Sequence, residues 1–296
     1  MDRVKELVIL SGKGGTGKTT LTSSLSKIIK DKVIVDADVD ASDMFILLKP
    51  DVLKKEIFRG KSVAFIHQDK CIHCGLCEQH CRFDAIHKNS EDQFVVNEFK
   101  CDGCDLCVYV CPVNAITMEQ GIVGEWYLSE TDYGPMVHAR LNPGDENSGN
   151  LVTMVKHQAQ IVAKEKGLNK IIIDGPPGTG CPVISALSGA TATIIVTEPT
   201  LSGMHDLDRI LKVANQFKVL PKIVINKYDL NNENVREIEK FAQENNVEII
   251  GRIPFDHCVI DMLLNEKTPV DGGKECEIVK DEIYKIADFA DNIFKT

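Results

Sequence analysis

Eight cysteines fall in two copies of one spacing: Cys71, Cys74, Cys77 and Cys81, then Cys101, Cys104, Cys107 and Cys111. Thiolates at C-x2-C-x2-C wrap three corners of an iron–sulfur cube, and the fourth cysteine of each run ligates the cluster of the other run. The spacing therefore assigns Cys71, Cys74, Cys77 and Cys111 to one [4Fe–4S] cluster and Cys101, Cys104, Cys107 and Cys81 to a second. Zinc ribbons and disulfides are the competing chemistries, but a zinc site uses one C-x2-C pair per half rather than a repeated four-cysteine run. The first run carries Arg82 where the second has Pro112. That difference weakens a turn and removes no ligand.

A second chemistry begins at residue 7. The apolar run Leu7-Val8-Ile9-Leu10 leads directly into Ser11-Gly12-Lys13-Gly14-Gly15-Thr16-Gly17-Lys18-Thr19-Thr20. G-x-x-x-x-G-K-T between a strand and a helix is a phosphate-binding loop. Its glycines let backbone N–H groups turn toward phosphate oxygens, and the following helix adds its positive end. Gly12 through Thr20 are thus the nucleotide-binding candidates, with Lys18 on the β- and γ-phosphates and Thr19 on Mg²⁺. Further on, Lys170-Ile171-Ile172-Ile173 reads as a parallel strand covered on both faces and ending in Asp174, a Walker B candidate for Mg²⁺.

The form K-G-G-x-G-K-T-T resembles the deviant phosphate loop of the MinD/ParA/Mrp superfamily, to which the nitrogenase iron protein belongs. The resemblance implies an ATPase acting as a homodimer with nucleotide at the interface, where Lys13 reaches the partner's nucleotide. Val33-Ile34-Val35-Asp36-Ala37-Asp38-Val39-Asp40 resembles the switch I region. Asp38 is then the residue that handles the attacking water or the Mg²⁺ shell, with Asp40 the second choice. Asp174-Gly175-Pro176-Pro177-Gly178-Thr179-Gly180 looks like the switch II of the Mrp branch, whose members carry iron–sulfur clusters. In Asn226-Lys227-Tyr228-Asp229, the resemblance puts Asn226 on adenine, whereas N-K-x-D read alone is also a guanine signature served by Asp229. ATP is the expected nucleotide and GTP stays open. The loop around Pro254 is expected beside the base.

Strand and helix alternate outside the cysteine block, which predicts an α/β fold with a doubly wound, mostly parallel sheet and ligands at the strands' carboxyl ends. The block interrupts that series. The expected organisation is a discontinuous NTPase domain, 1–62 and 118–296, with an inserted small α+β two-cluster ferredoxin-like domain at 63–117. This insert carries eight Asp/Glu against four Lys/Arg, which suits a basic protein partner better than nucleic acid. Residues 132–150 hold Tyr133-Gly134-Pro135, Asn142-Pro143-Gly144 and Asn147-Ser148-Gly149, turn signals that predict a long loop.

The chain of 296 residues is 43% hydrophobic with a net charge of −10. That composition fits a globular core and argues against sequence-independent nucleic-acid binding. No apolar run reaches the roughly 18 residues of a membrane span. Met1-Asp2-Arg3 leads toward a short strand without a signal-peptide core, and eleven cysteines then point to a reducing compartment, the cytoplasm. Val279, Ile283, Ile286, Ala290 and Ile293 make the last helix amphipathic. Its polar residues are mostly acidic, so docking on the sheet is expected rather than membrane contact. Cys258 and Cys276 read as unpaired small hydrophobes. Cys181 lies seven residues after Asp174, where the nitrogenase iron protein has a cluster thiolate, so it is a candidate ligand shared between protomers.

Three functions compete. The first is Mg-ATP hydrolysis coupled to electron transfer through two [4Fe–4S] clusters, with a redox or iron–sulfur protein as partner. The second is ATP-dependent iron–sulfur or metallocofactor assembly. The third is a redox-sensing positioning or regulatory switch. Redox coupling ranks first, because all eight ligands of the cysteine runs are used by their own clusters.

Overall fold

The protein was analysed as a computed structural model, which describes residues 4–145 and 149–295. Met1-Asp2-Arg3 and the Asn147-Ser148 part of the predicted loop lie outside these residues. The chain divides into two compact units. One comprises the chain up to Lys55, Trp126–Arg140 and the chain from 149 onward; the other comprises Glu56–Glu125 and a short segment from Leu141.

The first unit opens with β1 (Lys5–Ser11), α1 (Lys18–Ile28), β2 (Lys32–Asp36) and α2 (Met44–Leu48). Strand β3 (Asp51–Ile66) carries the chain into the second unit, which holds α3 (Leu76–His80), β4 (Ile86–Lys88), β5 (Phe94–Val96) and α4 (Leu106–Val110). Strand β6 (Ile116–Thr131) brings it back. There follow β7 (Gly134–Leu141), α5 (Asn150–Glu165), β8 (Lys170–Pro177), α6 (Cys181–Leu187), β9 (Ala192–Thr197) and α7 (Leu201–Gln216). The series closes with β10 (Leu220–Asn226), α8 (Asn232–Glu244), β11 (Glu248–Ile253), α9 (His257–Leu264) and α10 (Glu277–Lys295).

Among the described residues the main sheet has the strand order β11-β10-β9-β1-β8-β2-β7-β6-β3. Strand β1 runs parallel between β8 and β9, and β2 runs parallel between β8 and β7. Both faces are covered, so the central strands are continuous apolar runs: Leu7, Val8, Ile9 and Leu10 are fully buried, as are Ile171, Ile172 and Ile173. Register does the functional work. Asp174 pairs with Ile9 on one side and with Asp36 on the other, so carboxylates meet where the strands end beside the loop after β1.

Two sequence expectations need correction. The predicted loop at 132–150 contains a full strand, β7, whose Met136 and Val137 are fully buried. The Gly134-Pro135 signal marks where the strand begins: Gly134 has φ +125°, and β7 then pairs with β2 at Ile34–Met136. Cys258 and Cys276 are buried as expected, but they are joined in a disulfide with Cα atoms 5.5 Å apart. One sits at the start of α9 and the other just before α10, and the fold packs both into the core cluster beneath the sheet.

Helix α10 buries Val279, Ile283, Ile286, Ala290 and Ile293 in that same cluster. Among the described residues no helix is long and apolar enough to cross a membrane. The second unit is built differently. Its helices are one turn or so long, its small sheet is the antiparallel β4–β5 pair, and its core joins Val63, Ile86, Phe94 and Ile116 to the buried Cys77 and Cys101.

Candidate nucleotide and cluster sites

The loop between β1 and α1 requires glycine at specific points. Gly15 and Gly17 have φ of +80° and +88°, in the left-handed region that favours glycine. A side chain on Gly17 would also strike the Asn226 amide, and one on Gly12 would collide with Asp206. This cradle opens on a cavity of about 450 Å³ lined by Gly14 through Leu21, Asp38, Asn226 and Lys227. A hydrocarbon wall of Ile253, Phe255, Val259 and Leu263 completes it. A polar, glycine-lined end and an apolar end fit the phosphates and base of a nucleotide respectively.

Lys18 is only 5% exposed, and its ammonium contacts Asp174 at 3.0 Å and Asp38 at 3.2 Å. Burial alone would make that ammonium easier to deprotonate; the charges of Asp174, Asp38 and Asp36 outweigh it, and the net shift is upward. Asp174 is fully buried and accepts hydrogen bonds from the hydroxyls of Thr19 (2.7 Å) and Thr22 (2.8 Å). Thr19, Asp174 and Asp38 thus lie around one lysine, a donor set of hydroxyl and carboxylate oxygens that suits Mg²⁺. Burial also pushes the Asp38 carboxyl upward, with Lys18 opposing. Asp40 is exposed at the turn beyond, its carboxyl raised by partial burial.

Asp36 escaped the sequence reading. It is fully buried and accepts hydrogen bonds from the Ser42 hydroxyl (2.8 Å) and from the backbone N–H of Asp38 and Met44 (3.2 Å each), so it fixes the path of the Asp38 loop. Burial, then the charge of Asp174, lifts its carboxyl to about 8. The only sequence signal was its place as the first acid of the D-x-D.

Lys13 is held within its own chain, 3.5 Å from Glu198 and 3.3 Å from the Ser202 hydroxyl. The same Glu198 pairs with Lys227 at 2.5 Å. Asn226 donates to the Thr16 carbonyl at 2.8 Å, which ties it to the phosphate loop, and its amide oxygen accepts from the N–H of Lys227 in its own turn. Asp229 accepts from Phe255 N–H at 2.7 Å, tying the N-K-x-D turn to the apolar wall. That wall takes Ile253 and Phe255, the neighbours of Pro254, as its lining. Glu198, Asp206 and Thr22 had no motif to announce them, whereas Phe255 lies in the loop around Pro254 that was expected beside the base.

The cysteines converge in two groups. Cys71, Cys74, Cys77 and Cys111 line one cavity; Cys81, Cys101, Cys104 and Cys107 line another. Each cavity therefore takes three thiols from one run and one from the other. Apolar walls (Ile66, Phe94 and Ile116 in the first, Ala64, Ile86 and Met118 in the second) complete them. Four sulfur donors in a mostly apolar pocket fit a thiolate-bound iron–sulfur cluster. Burial, the largest influence, raises the Cys77 thiol and pushes Cys107 up to about 11. Ligation would have to overcome that, as iron does by stabilising thiolate. Cys181 stands apart, exposed at the first turn of α6.

Sheet order, phosphate cradle and the acids around Lys18 define a P-loop nucleotide-binding protein. The chain belongs to the MinD/ParA family of P-loop ATPases, with a 4Fe–4S domain within it. A family described as a 4Fe-4S dicluster domain matches residues 64–118. An uncharacterised protein of Methanocaldococcus jannaschii is 32% identical over 97% of this chain and 98% of its own. An iron-sulfur cluster carrier protein of Pyrococcus horikoshii is 26% identical over 85% of this chain and 74% of its own. The fold is that of the septum site-determining protein MinD complexed with Mg-ADP from Pyrococcus horikoshii, at TM-score 0.57 and 17% identity over 98% of this chain and 96% of that one.

Proposed function

We propose that this protein hydrolyses Mg-ATP and couples its nucleotide state to electron transfer through two [4Fe–4S] clusters. The observation that carries the reading is the exchange of fourth cysteines: the two cavities together use all eight thiols of the runs. A site saturated by its own protein ligands is suited to keeping a cluster and passing electrons. A transfer scaffold needs ligands it can give up. Bound clusters supply one-electron chemistry. The chain's own residues hold them, exclude water with apolar walls and leave Cys74 and Cys104 exposed at the surface.

On the nucleotide side, Lys18 would exchange its partners Asp174 and Asp38 for phosphate oxygens, freeing both acids for Mg²⁺ and its water shell. Loss of that ion pair moves the Asp38 loop, which Asp36 anchors. Lys13 would leave Glu198 and reach the nucleotide of a second protomer, so the active unit is a homodimer. Catalysis then rests on positive charge from Lys18 and the partner's corresponding lysine on the transferring phosphoryl group. ATP shifts the clusters' behaviour only through a difference in its affinity for the two states.

Cluster assembly is the second reading, favoured by the likeness to the iron-sulfur cluster carrier. In it, the exposed Cys181 of each protomer would hold a labile cluster beside two permanent ones. Iron and sulfide analysis before and after ATP turnover separates the two readings. About eight irons per chain, unchanged by turnover, support redox coupling; iron released to an apo-acceptor only with ATP supports assembly.

A further inference from the structure

The two cavities match in how many of their thiols are exposed and buried, although the buried thiol is the third of the first run and the first of the second. Each cavity has one exposed thiol (Cys74; Cys104), one buried thiol (Cys77; Cys101) and two of intermediate exposure. Each borrowed fourth thiol accepts one backbone N–H, Cys111 from Ala115 at 3.2 Å and Cys81 from Ala85 at 3.4 Å. Helices α3 and α4 are of equal length and begin from a left-handed residue. Solvent exposure and hydrogen bonds to sulfur, two of the levers that set the potential of such a site, are therefore balanced.

Charge is not balanced. Asp102 and Asp105 line the second cavity, and no charged side chain is among the described residues lining the first. The equivalent positions in the first run are Ile72 and Gly75. Asp105 sits at φ +62°, where its counterpart Gly75 sits at +76°. A carboxylate thus occupies a backbone conformation that favours glycine and that glycine fills in the sister run. Glu78, Arg82 and Asp84 are exposed nearby and lie outside both linings.

Adding an electron to a thiolate-bound cluster increases its negative charge, and adjacent carboxylates oppose that. Resting on the two-cluster reading above, we infer that the site held by Cys101, Cys104, Cys107 and Cys81 has the lower potential, and that electrons pass from it to the site held by Cys71, Cys74, Cys77 and Cys111. The step moves one electron: the donor site goes from the 1+ to the 2+ core charge and the acceptor site from 2+ to 1+, with no bond made or broken. An external low-potential one-electron donor supplies the electron.

The test is anaerobic EPR potentiometry of the full-length reconstituted protein, dithionite as reductant, with iron quantified in every sample. The wild type should reduce in two resolved steps. Asp102→Asn with Asp105→Gly should raise the lower step alone, by about tenfold in equilibrium constant, or about 59 mV for one electron. Arg82→Gln and Glu78→Gln, charge changes outside the linings, should move either step by much less. Asp105→Gly alone restores the residue of the first run at a glycine-type position, so it tests the idea even if the double variant binds iron poorly. A single reduction step, or a variant that moves the upper step or neither, overturns the inference while leaving the two-cluster reading intact. About four irons per chain instead of eight would overturn that reading and this inference together.

Discussion

The nucleotide unit and the cysteine unit solve the burial of reactive groups in opposite ways. Around Lys18 the charges neutralise one another: Asp174, Asp38 and Thr19 meet it at strand ends seated on Leu7, Ile9 and Ile172. Hydrocarbon packing and ion pairs fix the cradle's geometry. In the cysteine unit the ligands are themselves the core. Cys77 and Cys101 are buried among Val63, Ile86 and Phe94, with Cys71, Cys81, Cys107 and Cys111 packed against them. A small core of that kind is expected to draw stability from a bound metal. One unit fixes its geometry by hydrocarbon packing and ion pairs; the other makes its cysteines part of the core.

Removal of iron should break the comparison most visibly. Anaerobic chelation is expected to lower hydrogen-exchange protection across 64–118 by on the order of 10³ or more, while β1, β8 and β9 keep theirs. Equal loss in both units would contradict the separate roles of their cores. Next in size is Lys18→Gln, which should cut steady-state ATP hydrolysis by about 10²–10³-fold and leave iron content unchanged.

A pH effect comes third. The Asp36 carboxyl is raised to about 8 in the folded chain, first by burial and then by Asp174. The folded state therefore keeps a proton that the unfolded state releases, and stability falls as pH rises through that window. His138, lowered to about 4 by burial, works the other way and has no further effect above its ordinary value near 6.5. Lys32, lowered to about 8 by burial, opposes this as pH nears 8, so between pH 6.5 and 8 the nucleotide-free protein should lose on the order of 1 kcal/mol in urea unfolding of the first unit, and Asp36→Asn should remove that loss. An unchanged slope would assign the pH dependence elsewhere. The smallest effect is Glu198→Gln, which releases Lys13 and Lys227. It should tighten ATP-dependent dimerisation by up to about fivefold, or ~1 kcal/mol, in sedimentation velocity.

What could be read in the sequence was what is local. The phosphate loop is one continuous segment between a strand and a helix, and each cysteine run is short enough for its spacing to be read directly. Groups that meet only through the sheet were silent. Asp36 and Asp174 become neighbours by strand register, and Glu198 reaches both Lys13 and Lys227 from the end of β9. Cys258 and Cys276 pair because α9 and the turn before α10 pack together, a contact that their separation of 18 does not announce. Strand β7 was hidden by turn residues on both flanks, since Gly134-Pro135 and Asn142-Pro143-Gly144 bracket its buried stretch.

The central claim is that nucleotide and clusters share one free-energy cycle, and anaerobic redox potentiometry with and without Mg-ATP addresses it directly. Mg-ATP is expected to shift at least one cluster potential by tens of millivolts, where about 59 mV is a tenfold change for one electron. Identical potentials in both conditions, on dimeric protein retaining about eight irons per chain, would contradict it.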